Sequence, residues 1–159
     1  MKGLLLEMSA FGIEIQEEAV CLFSEGVSKH DALTQLVESV CSTGAVSDAS
    51  AFSKAVFERE SVMSTGIGSG VAIPHVRIDE VRLPAVGVGV SRDGIGYDTL
   101  DNEPVYIVVL FAMPSGSQKQ YLSLLAQVML AMKRPDFTDE LRACTTRKEV
   151  VDILNADGQ

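Results

Sequence analysis

The sequence comprises 159 residues, of which 47% are hydrophobic and 22% are charged, as is ordinary for one globular domain. Its 22 acidic residues against 13 basic ones give a net charge of −9, which argues against binding to nucleic acid or to an anionic membrane surface and favours a basic protein partner. No apolar run reaches the roughly 18 residues of a transmembrane helix, and the amino-terminal run is too short for a signal peptide, so we expect no membrane insertion and a cytoplasmic protein.

The first third of the chain predicts a short strand followed by a helix. An apolar run at 19–23 is typical of a strand, and residues 1–12 are expected to form a loosely held extension. Ser28 has the chemistry of a helix N-cap, and Gly44 has that of a helix terminator. Between them, apolar side chains recur at helical spacing at Leu33, Leu36, Val37 and Val40. His30 lies in the first turn of this helix, and we expect it to face solvent.

A second helix and a glycine-rich loop come next. The helix is expected to begin at one of residues 47–48 and to reach about Glu60. Its buried face is expected to carry Phe52, Ala55 and Val56. The segment 64–75 then reads STGIGSGVAIPH, a loop of small residues followed by a short strand at 71–73 that ends next to His75. A histidine that follows a flexible loop and a rigid proline is held in one place, which a reacting imidazole requires.

Two further strands are expected in the middle of the chain. Residues 85–90 read AVGVGV, and their glycines leave room for a group packed closely against one face. Residues 93–96 read DGIG and predict a turn. Residues 105–112 are almost wholly apolar, which is typical of a central strand covered on both faces.

Helices are expected to complete the chain. After a break at 114–117, apolar spacing predicts a helix that Pro135 ends. Its predicted apolar stripe comprises Leu122, Leu125, Ala126, Met129 and Leu130. We expect the methionines here to pack in the core rather than to line a cofactor site. A short helix at 136–143 and a last helix capped by Thr146 follow, and the tail at 156–159 is expected to fray. The element order predicts an α/β fold in one domain.

The glycine loop does not match the common nucleotide-binding or hydrolase motifs. A dinucleotide-binding loop follows a strand and opens a helix, whereas here a predicted helix precedes the loop and a strand follows it. The chain has no Gly-Lys-Ser/Thr sequence for a P-loop. The residue two before Ser69 is Ile67 rather than glycine, so the nucleophile-elbow pattern also fails.

The cysteines and histidines predict neither a metal site nor a disulfide. Cys21, Cys41 and Cys144 are isolated and show no Cys-x-x-Cys spacing. His30 and His75 are the only histidines, which is too few for a common zinc site with scattered cysteines. We expect reduced thiols, no metal and no cofactor.

A set of motifs over 57–154 is specific enough to identify a family. It comprises Arg59-Glu60, the STGIG and GVAIPH sequences within 64–75, the DNEPV sequence at 101–105, Pro114, and the pairs Tyr121-Leu122 and Leu125-Ala126. In these motifs the chain resembles the type-2 enzyme IIA domain of the bacterial phosphoenolpyruvate-dependent sugar phosphotransferase system, the fructose and mannitol class that includes the nitrogen-regulatory branch. The resemblance implies one domain over 13–155 with a mixed β-sheet flanked by helices.

The resemblance implies a phosphocarrier that uses no metal or cofactor. His75 corresponds to the family's histidine, which accepts a phosphoryl group on Nε2 from the phosphocarrier protein HPr and passes it to a IIB domain. Arg59 is suited to bind phosphoryl oxygens through its fork of donors. Further hydroxyl and amide donors to the phosphoryl group are expected at Ser64, Thr65, Gly66 and Gly68.

Tyr121 departs from the family pattern, in which a second histidine usually lies at this position and helps to place the phosphoryl group. A phenol can donate a hydrogen bond to phosphate but cannot carry the charge of an imidazolium. Two functions therefore stay open. One is a transferase that passes the phosphoryl group onward in fructose-like sugar uptake. The other is a nitrogen-type regulatory module that acts by phosphorylation-dependent protein binding, with weak or no onward transfer. We favour retained phosphorylation of His75.

Overall fold

Strand β6, Val105–Pro114, is the centre of the protein. The computed structural model describes residues 10–156, apart from the side chain of Pro135. Successive side chains of a strand point to opposite faces. In β6 the two faces are formed by Ile107, Val109, Phe111 and Met113 on one side and by Val108, Leu110 and Ala112 on the other. All seven are fully buried. The prediction of a central strand covered on both faces is confirmed.

Five more strands complete a mixed sheet around β6. They are β1 (Val20–Leu22), β2 (Gly66–Gly68), β3 (Val71–Ala72), β4 (His75–Ile78) and β5 (Ala85–Ile95). The order is β1-β5-β6-β3-β2, and β4 pairs with β6 beside the end of β3. The β1/β5, β3/β6 and β4/β6 pairs are parallel, while β5/β6 and β2/β3 are antiparallel. The predicted α/β fold with a mixed sheet is confirmed.

Five helices cover the two faces of this sheet. They are α1 (Lys29–Ser42), α2 (Ala49–Val62), α3 (Gln118–Met132), α4 (Pro135–Arg142) and α5 (Arg147–Asn155). The first two pack with one face of β6, and the last three pack with the other. The side chains of Ser28 and Thr146 accept the N–H groups of Asp31 and Glu149, so both predicted N-caps are confirmed. His30 is exposed in the first turn of α1, as predicted.

The glycines of β5 allow close packing on one side of the sheet. A Cβ added to Gly89 would lie 2.3 Å from Cζ of Phe23, and one added to Gly87 would lie 2.7 Å from Cγ2 of Val40. These distances are far below van der Waals contact. The predicted close approach at these glycines is confirmed, and its partners are Phe23 and helix α1.

The turn predicted at 93–96 is wrong. Strand β5 continues to Ile95, which is fully buried and pairs with Val105. The register is irregular between Val90 and Ile95, and Gly94 adopts a φ of 97° there. Glycine tolerates this left-handed conformation, so the strand bends without ending.

The apolar stripe predicted for α3 is also wrong. Leu122 is 51% exposed and Leu130 is 68% exposed. The buried face instead carries Tyr121, Leu124, Val128, Ala131 and Met132. Apolar residues surround much of this helix, so its periodicity allows more than one stripe. In the observed orientation of α3, Tyr121 packs against Phe111 of β6.

Part of the extension predicted at 1–12 belongs to the packed core. Phe11 is fully buried and its ring lies 6.2 Å from that of Phe137, so the packed core includes this part of the expected extension. Residues 1–9 and 157–159 lie outside the described residues. Cys21, Cys41 and Cys144 are free in the structure.

Candidate functional site

His75 begins strand β4 rather than ending the strand predicted at 71–73. Strands β3 and β4 lie one after the other along the same edge of β6, joined by Ile73 and Pro74. The carbonyl of Pro74 accepts the N–H of Phe111 at 2.9 Å, and His75 is then in register with Phe111. The central strand thereby fixes the backbone on both sides of the histidine.

The imidazole of His75 is half-buried and has one nitrogen bound to the backbone. Nδ1 lies 3.0 Å from the carbonyl oxygen of Ile73. A carbonyl only accepts hydrogen bonds, so Nδ1 carries the proton in this contact and Nε2 keeps a lone pair. Burial lowers the pKa of His75, the bond to Ile73 opposes this shift, and the nearby Arg59 and Arg77 lower the pKa further. The ring is therefore neutral and nucleophilic at pH 7.

His75 lies in an open cleft of about 420 Å³ that also contains two guanidinium groups. Arg59 comes from the last turn of α2, where its Nη1 donates to the carbonyl of Met63 at 2.9 Å. Arg77 comes from β4, two residues after the histidine, so both side chains leave the same face of the strand. The cleft is also lined by Ser115 and Gly116, which follow β6.

Tyr121 packs directly on the histidine from helix α3. The ring centroids of His75 and Tyr121 are 5.2 Å apart with an interplanar angle of 32°. The ring of Phe111 meets Tyr121 edge-on at 5.9 Å, and Cζ of Arg77 lies 5.5 Å from the tyrosine centroid. Burial raises the pKa of Tyr121, although Arg77 and Arg59 oppose the shift. Tyr121 is thus a neutral aromatic ring that packs on the imidazole and lies near the Arg77 guanidinium.

The structure brings Arg59, His75 and Tyr121 together but leaves the other predicted site residues outside this cleft. The residues in question are Ser64, Thr65, Gly66 and Gly68. Ser64 donates its hydroxyl to the carbonyl of Asp98 at 2.5 Å and accepts the N–H of Gly66 at 3.2 Å. The hydroxyl of Thr65 is buried and engaged with Glu60. Phosphoryl binding by these four residues stays a prediction.

Glu60 is a buried carboxylate that was not among the site residues predicted from the sequence. It is 8% exposed and accepts the N–H of Thr65 at 3.1 Å, the Thr65 hydroxyl at 2.9 Å, and the hydroxyl of Tyr97 in a short bond. Lys29 Nζ lies 3.5 Å from the same carboxylate. The burial of Glu60 could have been predicted, because it follows Phe52 and Val56 at the same four-residue spacing on one face of the helix.

Asp101 ties the tip of the glycine loop to the loop that precedes β6. One carboxylate oxygen accepts the N–H of Ser69 at 2.9 Å, and the other accepts the Thr99 hydroxyl at 3.0 Å and the N–H of Glu103 at 3.1 Å. The backbone N–H groups of Ser69 and Glu103 lower the pKa of Asp101. The carboxylate is therefore ionised at neutral pH and holds the two loops together.

Neither a metal centre nor a membrane span is found in the described chain. Within residues 10–156, no three histidine, cysteine or carboxylate side chains are grouped as metal ligands. Over the same range, every helix is too short or too polar to cross a bilayer.

Most of the chain matches one protein family. A family described as "Phosphoenolpyruvate-dependent sugar phosphotransferase system, EIIA 2" matches residues 14–157. A Bacillus subtilis protein named "PTS system fructose-specific EIIABC component" is 30% identical over 141 residues. The match covers 89% of this chain but only 22% of that larger protein.

Two solved structures show the same fold. The nitrogen regulatory protein IIA-Ntr from Neisseria meningitidis has a TM-score of 0.80 and 23% identity, over 95% of this chain and 99% of that one. Enzyme IIAMTL from Escherichia coli, solved in complex with phosphorylated enzyme IIBMTL, has a TM-score of 0.71 and 19% identity, over 88% of this chain and 96% of that one. The arrangement of sheet and helices that surrounds His75 is therefore a recurrent one.

Proposed function

Because the chain belongs to the EIIA type-2 family of the phosphoenolpyruvate-dependent sugar phosphotransferase system, we propose that it is a phosphocarrier with His75 as its phosphoryl acceptor. EIIA domains are phosphotransferase components. The donor in this proposal is a phosphorylated HPr-like protein, and the recipient is a IIB domain. EIIA domains pair with IIB domains, as in the mannitol complex.

The observation that carries the proposal is the imidazole of His75 in one cleft with two guanidinium groups. Its Nδ1–H donates to the carbonyl of Ile73, which leaves Nε2 as the nucleophilic atom. Arg59 and Arg77 lie in the same cleft. A neutral nucleophile next to fixed positive charge is the arrangement that phosphoryl transfer needs, since catalysis there depends on position and charge stabilisation.

The transfer can be written with its atoms balanced. The lone pair of Nε2 attacks phosphorus in line as the P–N bond to the donor histidine breaks, and the donor keeps that electron pair as a neutral imidazole. His75 retains the proton on Nδ1, and this N–H stays hydrogen-bonded to the Ile73 carbonyl. Arg59 and Arg77 offset the negative charge on the phosphoryl oxygens. In onward transfer, a nucleophilic side chain of IIB attacks phosphorus as the P–Nε2 bond breaks, and His75 keeps that electron pair as a neutral imidazole.

The rim of the cleft can supply neutral donors to the same oxygens. Ser115 and Gly116 lie directly before α3, whose first turn has no acidic residue and whose cap residue Ser117 makes no side-chain cap bond. The first N–H groups of a helix have no partner within the helix and favour anions. We assign this helix start, rather than the glycine loop, as the main source of backbone donors.

A regulatory role is the second candidate function. It is supported by the similarity to a protein named nitrogen regulatory protein IIA-Ntr, and by Tyr121, which cannot supply an imidazolium charge next to His75. In this role, phosphorylation of His75 would change protein binding with weak or no onward transfer. The fructose-specific name of the Bacillus relative supports the sugar-uptake role. We also propose that the protein acts in the cytoplasm, which its free cysteines fit.

Intact-protein mass spectrometry tests the proposal. The protein is incubated with phosphoenolpyruvate, enzyme I and HPr, and we expect one acid-labile phosphoryl group on the wild type and none on His75→Ala. His30→Ala is the matched control, because it removes the other histidine at an exposed position in α1 and should label fully. Labelling of His75→Ala would refute His75 as the phosphoryl acceptor. An unlabelled wild type beside a competent EIIA would refute the phosphocarrier role.

Addition of a fructose-type IIB domain separates the two candidate functions. Loss of the label from this protein with gain on IIB is expected for a sugar phosphocarrier. A label that persists in the presence of an active IIB domain would favour the regulatory module.

A further inference from the structure

A second cleft, of about 530 Å³, lies at the other end of helix α3 from His75. It is formed by the glycine loop, the start of β6, and the carboxyl ends of α3 and α4. Tyr121, which contacts the histidine, and Met132, which lines the second cleft, are separated by about 16 Å along the helix axis. The volume lies within the usual range for small-molecule sites.

The charge in this cleft is opposite to that of the whole protein. Its lining contains the basic residues Lys133, Arg134 and Arg142 and one acidic residue, Asp139. The whole chain has 22 acidic and 13 basic residues. Lys133 is exposed, and among residues 10–156 no carboxylate lies within 4 Å of its amino group. A local excess of cations in an acidic protein attracts anions to this place.

One wall of the cleft is rigidly built. The guanidinium of Arg142 lies 3.6 Å from the ring centroid of Tyr106 and donates to the carbonyl of Arg92 at 3.0 Å. The tyrosine ring also packs closely on the glycine loop, because a Cβ at Gly70 would lie 2.8 Å from it. The ring therefore contacts both the glycine loop and the guanidinium. A preorganised cation with an aromatic face loses little entropy when it binds a ligand.

The loop that lines the cleft has an unusual backbone. Gly68, Ser69 and Gly70 all have positive φ values, of 91°, 57° and 79°. Ser69 is not a glycine, and its conformation is held by the hydrogen bond from its N–H to Asp101. Such left-handed conformations carry a cost and concentrate at binding and functional sites. The same turn exposes the side chain of Ile67, which contributes an apolar surface to the cleft.

We propose that this cleft binds a small organic anion, with a phosphate or carboxylate head on an apolar body. The head lies against Lys133 and Arg142. The body lies between Ile67 and Met129, each 38% exposed. This inference is independent of the proposed phosphocarrier function, because the cleft contains neither His75 nor Arg59.

The test is a methyl-resolved NMR titration of the whole chain with phenyl phosphate, benzoate and uncharged benzyl alcohol. We expect saturable shifts of the Ile67, Met129 and Met132 methyl groups with an anion, at a Kd of about 5 mM for a ligand of this size. Lys133→Gln should weaken this binding about fivefold, as expected for loss of one exposed charge contact. Lys119→Gln removes a matched exposed charge at the first turn of the same helix and should leave binding unchanged.

Arg59→Gln separates the two clefts, because phenyl phosphate can also bind beside His75. Shifts of the three methyl groups that persist in this variant support the second site. Binding of phenyl phosphate alone identifies a phosphate site, and binding of benzoate as well identifies a general anion site. The proposal is overturned if the methyl groups show no saturable shift, if benzyl alcohol shifts them equally, or if Arg59→Gln weakens the response as much as Lys133→Gln does.

Discussion

Replacement of Glu60 by glutamine tests the view that a buried carboxylate holds the glycine loop. The side chain of Glu60 is 5% exposed, and it accepts hydrogen bonds from Thr65 and Tyr97 with Lys29 beside it. Glutamine has nearly the same shape, so the substitution removes the charge and one acceptor without opening a cavity. Burial raises the pKa of Tyr97 most, and the Glu60 carboxylate raises it further. The Tyr97 hydroxyl therefore stays protonated and can donate.

The expected loss of stability follows from the geometry of these bonds. The carboxylate accepts from the N–H of Thr65 at 3.1 Å, from its hydroxyl at 2.9 Å, and from Tyr97. Hydrogen bonds to charged groups contribute about 1.5–3 kcal/mol each, against about 1 kcal/mol for neutral ones. Glutamine weakens two such bonds to neutral strength and turns an NH₂ group toward one donor. We therefore expect the free energy of unfolding to fall by about 2–4 kcal/mol.

Urea denaturation followed by circular dichroism measures this change. Glu58→Gln is the matched control, because Glu58 lies in the same helix, its side chain is 67% exposed, and it pairs with Lys54 at 3.8 Å. Its expected cost is below about 0.5 kcal/mol. On thermal melting, Glu60→Gln should lower Tm by roughly 5–15 °C for a domain of this size.

A double-mutant cycle with Tyr97→Phe completes the test. The two residues share a short hydrogen bond, so their substitutions should be non-additive by about 1 kcal/mol or more. If Glu60→Gln unfolds at the same urea concentration as Glu58→Gln, the carboxylate does not hold the loop and the reasoning is refuted.

Three further outcomes are expected. Arg77→Gln should slow phosphoryl acceptance by about tenfold, because it removes a positive charge from the His75 cleft. The urea midpoint should not change, because Arg77 is exposed. An unchanged rate would show that Arg77 is not part of the site. Gly89→Ala should lower the free energy of unfolding by about 1–3 kcal/mol, because its Cβ would lie 2.3 Å from Phe23, and an unaltered midpoint would contradict this packing. Since burial lowers the pKa of His75 below its ordinary value of 6.5, the unfolded chain binds this proton more readily than the folded protein does. Stability should therefore fall as pH drops below 6.5, and His75→Gln should lack that component; equal pH slopes for both proteins would oppose it.

The elements that the sequence predicts well are those fixed by local chemistry. The caps at Ser28 and Thr146 and the double-sided burial of β6 follow from nearby side chains and from apolar runs. The stripe of α3 was missed because apolar residues occur on several sides of that helix. Its orientation depends on Tyr121 meeting Phe111, a tertiary contact that periodicity does not contain.

The residues of the candidate site also differ in how well the sequence predicts them. The motif predicts His75 and Arg59 as site residues, whereas Arg77 enters the proposed site through the pairing of β4 with β6. That pairing puts Arg77 and His75 on one face and brings both to Tyr121. Phosphoryl binding by the glycine loop stays a prediction, and its Thr65 hydroxyl donates to Glu60 in this structure. Short-range patterns name candidate side chains, and strand pairing decides which of them meet.

The parallel pairing of β4 with β6 also bears on how the protein matures. His75 is synthesised well before Phe111, its partner in the register, and before Tyr121, its aromatic support. Parallel strands joined across a long segment form late, because the intervening loop must close first. A nascent chain that has not yet added β6 and α3 therefore carries the histidine without its binding pocket. Phosphoryl acceptance would then report the finished fold, and a pulse of donor during translation would mark only chains that have passed this stage.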